Sequence, residues 1–223
     1  MPPAGVRFDR RAGIQTVGHA EPSDLIVEHG SLEDGFSYVA TPPRLVRGCL
    51  DALAVPEESF TFIDMGSGRG RVLLMASERP FRRVVGIEFA AELHEAATEN
   101  IRRFPKRRMR CRDVTSLYGD AAAFTFPLDP LILYFNNPFS ENVMTKVLQN
   151  LATSHQQQPR PIVVAYLQQA VEDPQHATDN LGLLGRQPFL TRRPVRFRLL
   201  DRIALRRFLV HMYCSPEALN LAG

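Results

Sequence analysis

The stretch FTFIDMGSGRGRVLLMASE, residues 60–78, constrains the fold of this chain more than any other feature. A short apolar run ends at Asp64, and three glycines then alternate with other residues before a helix-forming segment: Gly66, Gly68 and Gly70. Glycine permits positive φ and close approach of a ligand to the backbone, while a helix N-terminus presents free N–H groups. The stretch therefore predicts a strand, a ligand-binding turn and a helix.

Strand and helix patterns alternate along the rest of the chain. Apolar runs typical of buried parallel strands occupy residues 60–64, 83–88, 131–136 and 161–167, with a weaker run at 108–113. Helical patterns occupy residues 71–78, 91–104 and 141–154. This order predicts an α/β fold, with a doubly wound, mostly parallel, seven-stranded sheet and right-handed crossovers.

Two extended runs lie near the end of the chain, at residues 195–201 and 204–213. A connection of about two residues cannot join parallel strands, so these runs predict a C-terminal antiparallel hairpin. We expect residues 36–215 to form the main domain, with residues 1–35 as an N-terminal extension and residues 216–223 as a tail.

Composition narrows the class of protein. The 223 residues are 44% hydrophobic, which is enough for one sizeable core. No apolar run reaches the roughly 18 residues that a membrane span needs. The start lacks an apolar secretion segment and the three cysteines lie far apart, which favours a cytoplasmic protein with free thiols. The six histidines form no close ligand pair, so we expect no metal site.

Positive charge is concentrated in two arginine-rich clusters, residues 102–112 and 192–207, although the net charge is only +3. Aromatic residues are sparse within both clusters, so a solvated surface is the favoured interpretation and nucleic-acid binding is the alternative.

The pattern D-x-G-x-G-x-G, residues 64–70, resembles the first motif of the class I S-adenosylmethionine-dependent methyltransferases, and the likeness extends over roughly residues 36–213. It implies S-adenosylmethionine as the cofactor, bound by the motif residues Asp64, Gly66, Ser67, Gly68 and Gly70. A dinucleotide fingerprint would need a third glycine where the chain has Arg71, and Asp64 would disfavour a pyrophosphate.

The resemblance implies further cofactor contacts. Glu88 ends the second predicted strand, where the family binds the ribose hydroxyls. Asp113 follows the third predicted strand, where an acid reads the adenine amino group beside the Val114 N–H. The segment YVATP is similar to the Tyr-x-Pro-Thr-Pro segment of some class I lysine methyltransferases, which implies cofactor contacts for Tyr38 and Thr41. The structural alternatives are a solvated strand end for Glu88 and helix N-caps for Asp113 and Thr41.

The fourth predicted strand leads into FNNPFS, which is similar to the [D/N]-P-P-[Y/F/W] motif of family members that methylate amino nitrogens. The candidate methyl-transfer residues are Asn136, Asn137, Pro138 and Phe139. An asparagine carbonyl can accept hydrogens from an amine and aim its lone pair at the methyl carbon, and an aromatic ring can cover the site. Asn137 departs from the first proline of the motif, and a simple turn with Ser140 as a helix N-cap is the alternative.

Together these motifs predict an enzyme that transfers a methyl group from S-adenosylmethionine to a nitrogen of a small molecule or a protein side chain. Three alternatives stay open. They are a nucleic-acid N-methyltransferase, a cofactor-binding module without catalysis, and an NAD-dependent oxidoreductase.

Overall fold

The computed structural model describes residues 3–20, 38–169, 178–195 and 208–221. The helices in these ranges are α1 (Ala4–Ala12), α2 (Pro43–Asp51), α3 (Arg71–Ser77), α4 (Ala91–Arg103), α5 (Glu141–Gln157), α6 (Asn180–Gly185) and α7 (Pro216–Leu219). The strands are β1 (His19–Ala20), β2 (Tyr38–Val39), β3 (Thr61–Met65), β4 (Arg83–Glu88), β5 (Val114–Tyr118), β6 (Leu131–Asn136), β7 (Ile162–Gln169), β8 (Thr191–Arg193) and β9 (Phe208–Cys214).

The described strands β3 to β9 form a seven-stranded sheet in the order β5-β4-β3-β6-β7-β9-β8. Strands β3 to β7 run parallel, β9 is antiparallel to β7, and β8 is antiparallel to β9. This arrangement confirms the predicted fold class, including its antiparallel C-terminal end. Strands β1 and β2 pair separately as a small antiparallel sheet.

Buried side chains form two clusters, which lie on opposite faces of the sheet. Because successive side chains of a strand point to opposite faces, Phe62 and Tyr134 belong to one cluster while Ile63 and Leu133 belong to the other. Residues of α2 and α3 complete the first cluster, and residues of α5 and α6 complete the second. Strands β3 and β6 are thus covered on both faces, which explains their continuous apolar sequences.

The N-terminal segment packs into the first of these clusters. Phe8, Ala12 and Ile14 have exposed fractions of 6%, 4% and 5% and are in the same cluster as α2, α3 and the central strands. Residues 3–20 therefore contribute directly to the core that supports the glycine turn.

The third strand was predicted at the wrong position. Strand β5 begins at Val114, directly after the predicted run 108–113. The backbone N–H groups of Arg110 and Cys111 both donate to the carbonyl of Ser77 at the end of α3, at 2.8 and 3.0 Å. The segment is therefore hydrogen-bonded to the end of α3. Its residues are alternately buried beneath that helix and exposed, which explains the strand-like pattern of the sequence.

Two other boundaries differ from the sequence predictions. On the side away from β7, the strand that pairs with β9 is Thr191–Arg193, whereas the predicted run 195–201 lies almost entirely outside the described residues. Helix α5 continues to Gln157, three residues beyond the end of the predicted helical pattern 141–154.

Candidate functional site

A pocket opens at the carboxyl edge of the sheet, where β3, β4 and β6 end. In a parallel sheet this edge is the usual position of a ligand crevice. The sequence-predicted residues that line it are Tyr38, Thr41, Asp64, Gly66, Ser67, Gly68, Glu88, Asn136, Asn137, Pro138 and Phe139. Gly70 lies just behind them, at the N-cap of α3.

The turn after β3 has a conformation that requires glycine. Gly66 and Gly68 have φ angles of +88° and +52°, which L-residues with side chains rarely adopt. Space is also limiting. A Cβ on Gly66 would lie 2.7 Å from the Cβ of Pro138, and one on Gly68 would lie 2.2 Å from the Cε2 of Tyr38. The turn is therefore a narrow cradle between the Asn136–Phe139 segment and the Tyr38 ring.

Two carboxylates face this pocket, although both are almost fully buried. Glu88 is 3% exposed and accepts hydrogen bonds from the Gly68 N–H at 2.6 Å and the Ala90 N–H at 3.0 Å. Burial raises the pKa of Glu88 to about 7, and these backbone donors only partly oppose the effect. Asp64 is also 3% exposed, and burial together with the charge of Glu88 raises its pKa well above the usual value.

Thr41 and Asn136 connect the 38–41 segment to the end of β6. The Asn136 Nδ2 donates to the Thr41 Oγ1 at 3.0 Å, across 95 residues of sequence. Thr41 therefore does not cap α2, and Pro42 occupies that N-cap position. The amide nitrogen of Asn136 is thus engaged, whereas no hydrogen bond to its Oδ1 is found among the described residues.

Asn137 has a different environment from its neighbour Asn136. Its φ is +44°, a value that proline cannot adopt, which explains why the first proline of the related motif is absent here. The Tyr166 hydroxyl donates to the Asn137 Oδ1, and the Asn180 Nδ2 donates to the Tyr166 hydroxyl at 3.1 Å. The Asn137 oxygen is therefore already engaged within a buried network.

Three residues that the sequence analysis did not identify hold the 38–41 segment in place: Asp9, Thr16 and Arg71. The Arg71 guanidinium is 4% exposed and donates to the Thr16 Oγ1 at 2.7 Å and to the Thr41 carbonyl at 3.1 Å. Asp9 lies 3.5 Å from it. The Tyr38 hydroxyl in turn donates to the Thr16 carbonyl at 2.7 Å. These contacts join distant segments, so no local sequence pattern marks them.

The structure contradicts the predicted role of Asp113 and Val114. Both lie at the amino end of β5, on the edge of the sheet opposite the pocket, and Asp113 forms an exposed ion pair with Arg83 at 2.7 Å. The acid that follows β5 is Asp120, which caps a short turn of helix by accepting from the Ala122 N–H at 2.8 Å. The misplaced third strand is the cause of this error.

The described ranges contain no group of three His, Cys, Asp or Glu side chains that could hold a metal ion. None of their helices combines the length and apolar character needed to cross a bilayer. All three cysteines are buried free thiols.

The sequence matches no protein-family model and no curated protein. Solved structures are similar in fold. A TehB-like S-adenosylmethionine-dependent methyltransferase from Corynebacterium glutamicum is 17% identical, with a TM-score of 0.51 over 77% of this chain and 87% of that one. Cofactor-bound Rv0187 from MTB is 14% identical, with a TM-score of 0.53 over 87% and 84% of the two chains. The methyltransferase domain of bacterial CtHen1 is 13% identical, with a TM-score of 0.52 over 76% and 97%. The chain therefore has the fold of the class I S-adenosylmethionine-dependent methyltransferases.

Proposed function

We propose that this protein binds S-adenosylmethionine and transfers its methyl group to a nitrogen atom of a small molecule or a protein side chain. One observation carries the proposal. The glycine turn, the two buried carboxylates and the available Asn136 Oδ1 converge on a single pocket at the carboxyl edge of the sheet.

The pocket residues fit such a cofactor. Among the described side chains, the Ser67 and Tyr134 hydroxyls are buried without a hydrogen-bond partner, and both line the pocket. Buried polar groups are normally satisfied, so these hydroxyls indicate a polar ligand or ordered water. The narrow space over Gly66 and Gly68 would admit a ligand only because neither residue has a side chain.

The parts of the cofactor can be assigned to different residues. Glu88 would accept hydrogen bonds from the ribose hydroxyls, and Asp64 would face the methionine end of S-adenosylmethionine. Asp120 replaces Asp113 as the candidate acid for the adenine amino group, because it follows the actual β5. The pocket encloses about 80 Å³, less than the roughly 300–1,000 Å³ of typical ligand pockets. We therefore expect the Tyr38 ring, which lies over Gly68, to move when a nucleoside-sized ligand enters.

Asn136 is the residue best suited to orient an acceptor amine. Bound S-adenosylmethionine would supply an electrophilic methyl group on its sulfonium. Thr41 holds the Asn136 amide nitrogen, so the Oδ1 can accept an N–H of the acceptor and align the nitrogen lone pair. The Asn137 oxygen is engaged by Tyr166 and is less suited to this role. The Phe139 ring, 7% exposed and packed edge-on against Phe135, would form a wall of the site.

The alternatives of nucleic-acid methylation and of a dinucleotide cofactor have less support. The described members of the 102–112 cluster lie at the amino edge of the sheet, away from the pocket, and Arg102, Arg103 and Arg108 pair with glutamates. This placement favours a solvent-exposed surface over a nucleic-acid-binding surface that leads to the pocket. A dinucleotide fingerprint is disfavoured because position 71 is a buried arginine instead of a glycine.

The cofactor assignment is tested by isothermal titration calorimetry with S-adenosylhomocysteine and with NAD. We expect saturable binding of S-adenosylhomocysteine and none of NAD. Binding of NAD without a response to S-adenosylhomocysteine would show that the cofactor assignment is wrong.

The catalytic assignment is tested by following S-adenosylhomocysteine formation after addition of separated small-molecule and protein fractions of a cell extract. Asn136→Ala should lower the rate by roughly 10²-fold with little change in cofactor affinity, because the contact aligns the acceptor. Asn137→Ala is the matched variant, and we expect it to retain more activity. Equal, wild-type rates for both variants would remove the support for an amine acceptor. Absence of any product with every fraction would favour the binding-only alternative.

A further inference from the structure

Tyr134 is a buried residue of the pocket to which the sequence motifs assign no role. It lies on β6, two residues before Asn136, and its side chain is on the same face of the sheet. Tyr134 is 1% exposed and lines the pocket, yet its hydroxyl has no hydrogen-bond partner among the described residues. Burial, with smaller effects of Cys49 and Asp64, raises its pKa well above the usual value, so the hydroxyl keeps its proton. The neighbouring Thr41 side chain opposes this effect, but its geometry does not meet that of a hydrogen bond to the Tyr134 hydroxyl.

Asp64 lies directly beside Tyr134. The two residues are Cα partners on the neighbouring parallel strands β3 and β6, and adjacent strands are roughly 5 Å apart. The Asp64 carboxylate is buried and also lines the pocket. A buried hydroxyl without a hydrogen bond beside a buried carboxylate is unfavourable unless a ligand or water satisfies these groups.

The charges around these two groups select the kind of ligand atom. Asp64 and Glu88 would repel an anionic group. The Arg71 guanidinium also lines the pocket, but it already donates to Thr16 and Thr41 and lies 3.5 Å from Asp9, although its Nη2 makes no hydrogen bond. A cationic hydrogen-bond donor is favoured, since it neutralises the carboxylate and can donate to both oxygens.

We propose that the Tyr134 hydroxyl accepts a hydrogen bond from the ammonium group of the methionine moiety of S-adenosylmethionine, and that Asp64 forms the ionic half of the same subsite. The inference rests on the proposed cofactor. It adds a neutral side chain from within β6 to a site whose predicted residues lie near the carboxyl ends of the strands and in the loops that follow them.

The test compares two ligands on two proteins by calorimetry. The ligands are S-adenosylhomocysteine and its deaminated analogue, in which hydrogen replaces the amino group. Tyr134→Phe removes only the hydroxyl, and we expect it to weaken binding of S-adenosylhomocysteine by roughly 10- to 100-fold. Both proteins should bind the deaminated analogue equally weakly. Tyr213→Phe is the matched control, because Tyr213 is 5% exposed and its hydroxyl contacts the Leu181 carbonyl away from the pocket.

Each other outcome has a defined meaning. Unchanged affinity of Tyr134→Phe for S-adenosylhomocysteine would overturn the inference and leave water as the partner of the hydroxyl. An equal loss for both ligands would mean that Tyr134 does not contact the ammonium group. Equal affinity of the wild-type protein for the two ligands would exclude an ammonium subsite even if the variant failed to fold. Absence of S-adenosylhomocysteine binding to the wild-type protein would instead overturn the proposed function itself.

Discussion

At the scale of single residues, Gly68 combines a special backbone conformation with a lack of space. Its φ is +52°, and a Cβ would lie 2.2 Å from the Tyr38 ring. Gly13 provides a matched control, because its φ is +70° but a Cβ there would meet nothing within 4 Å. We expect Gly13→Ala to lower the free energy of unfolding by roughly 1–2 kcal/mol through backbone strain alone. Gly68→Ala should lower it further and also weaken S-adenosylhomocysteine binding.

These effects are separated by thermal denaturation of the free proteins and by calorimetry with S-adenosylhomocysteine. Wild-type affinity in Gly68→Ala would mean that the Tyr38 ring moves away at little cost, and that the turn is not a tight cradle.

The raised pKa of Glu88 predicts that both the stability of the fold and the affinity for the cofactor depend on pH. Its pKa in the folded protein is about 7, above the ordinary value of 4.5, mainly because of burial. A raised carboxyl pKa means that the folded state holds the proton more tightly, so the stability contributed by Glu88 is present below about pH 4.5 and is lost as pH rises through 7. Binding of ribose hydroxyls needs the ionised carboxylate, so cofactor affinity should increase over the same range.

Glu88→Gln provides the control for both trends, which are measured by thermal denaturation and by calorimetry between about pH 5 and about pH 8. The variant should show a weaker fall in stability and a smaller rise in affinity with pH. Part of both trends should persist, because the buried Asp64 has a raised pKa as well and is expected to contact the cofactor. An unchanged pH dependence of affinity in Glu88→Gln would place the ribose elsewhere.

At the scale of elements, β5 explains why one predicted site residue was wrong. The central strands β3 and β6 are covered on both faces, and their continuous apolar runs identify them reliably. Strand β5 lies at the edge of the sheet, where Leu117 is 41% exposed, so its sequence carries a weaker pattern than the buried segment before it. That error of a few residues moved the expected adenine acid to the opposite end of the strand.

The position of β5 leads to a pair of contrasting variants. Asp113→Ala removes an exposed ion pair with Arg83, so we expect a loss of stability within about 1 kcal/mol and unchanged affinity for S-adenosylhomocysteine. Asp120→Ala should weaken that affinity by about tenfold, as expected for the loss of one charge-assisted hydrogen bond. Calorimetry on both proteins decides the matter. If Asp113→Ala were instead the variant with weakened S-adenosylhomocysteine binding, the assignment of Asp113 to the adenine amino group would be restored.

At the scale of the whole molecule, the site depends on contacts between segments that are far apart in sequence. The motifs at residues 64–70 and 136–139 could be read directly, because each is a local pattern at a strand end. Two tertiary contacts could not be read from the sequence, because they arise only when the chain has folded. They are the hydrogen bond from Asn136 to Thr41 and the ion pair of Asp9 with Arg71. Sequence patterns thus located the pocket, whereas the tertiary fold decides which of its polar groups remain available to a ligand.

The N-terminal segment provides the test of this interdependence. Phe8 and Ile14 are buried in the core beside α2 and α3, and Asp9 is the acidic partner of the buried Arg71. Removal of one partner of a buried ion pair costs roughly 3–5 kcal/mol, and truncation of a buried phenylalanine costs a similar amount. Since domains are typically stable by only about 5–15 kcal/mol, a chain that starts at residue 36 should be largely unfolded at ambient temperature. Circular dichroism during heating measures this, with full-length Phe8→Ala as a milder variant that should unfold at a lower temperature than the wild type. A truncated chain that unfolds at the wild-type temperature would show that residues 1–35 are a separable extension and that Arg71 holds the 38–41 segment without Asp9.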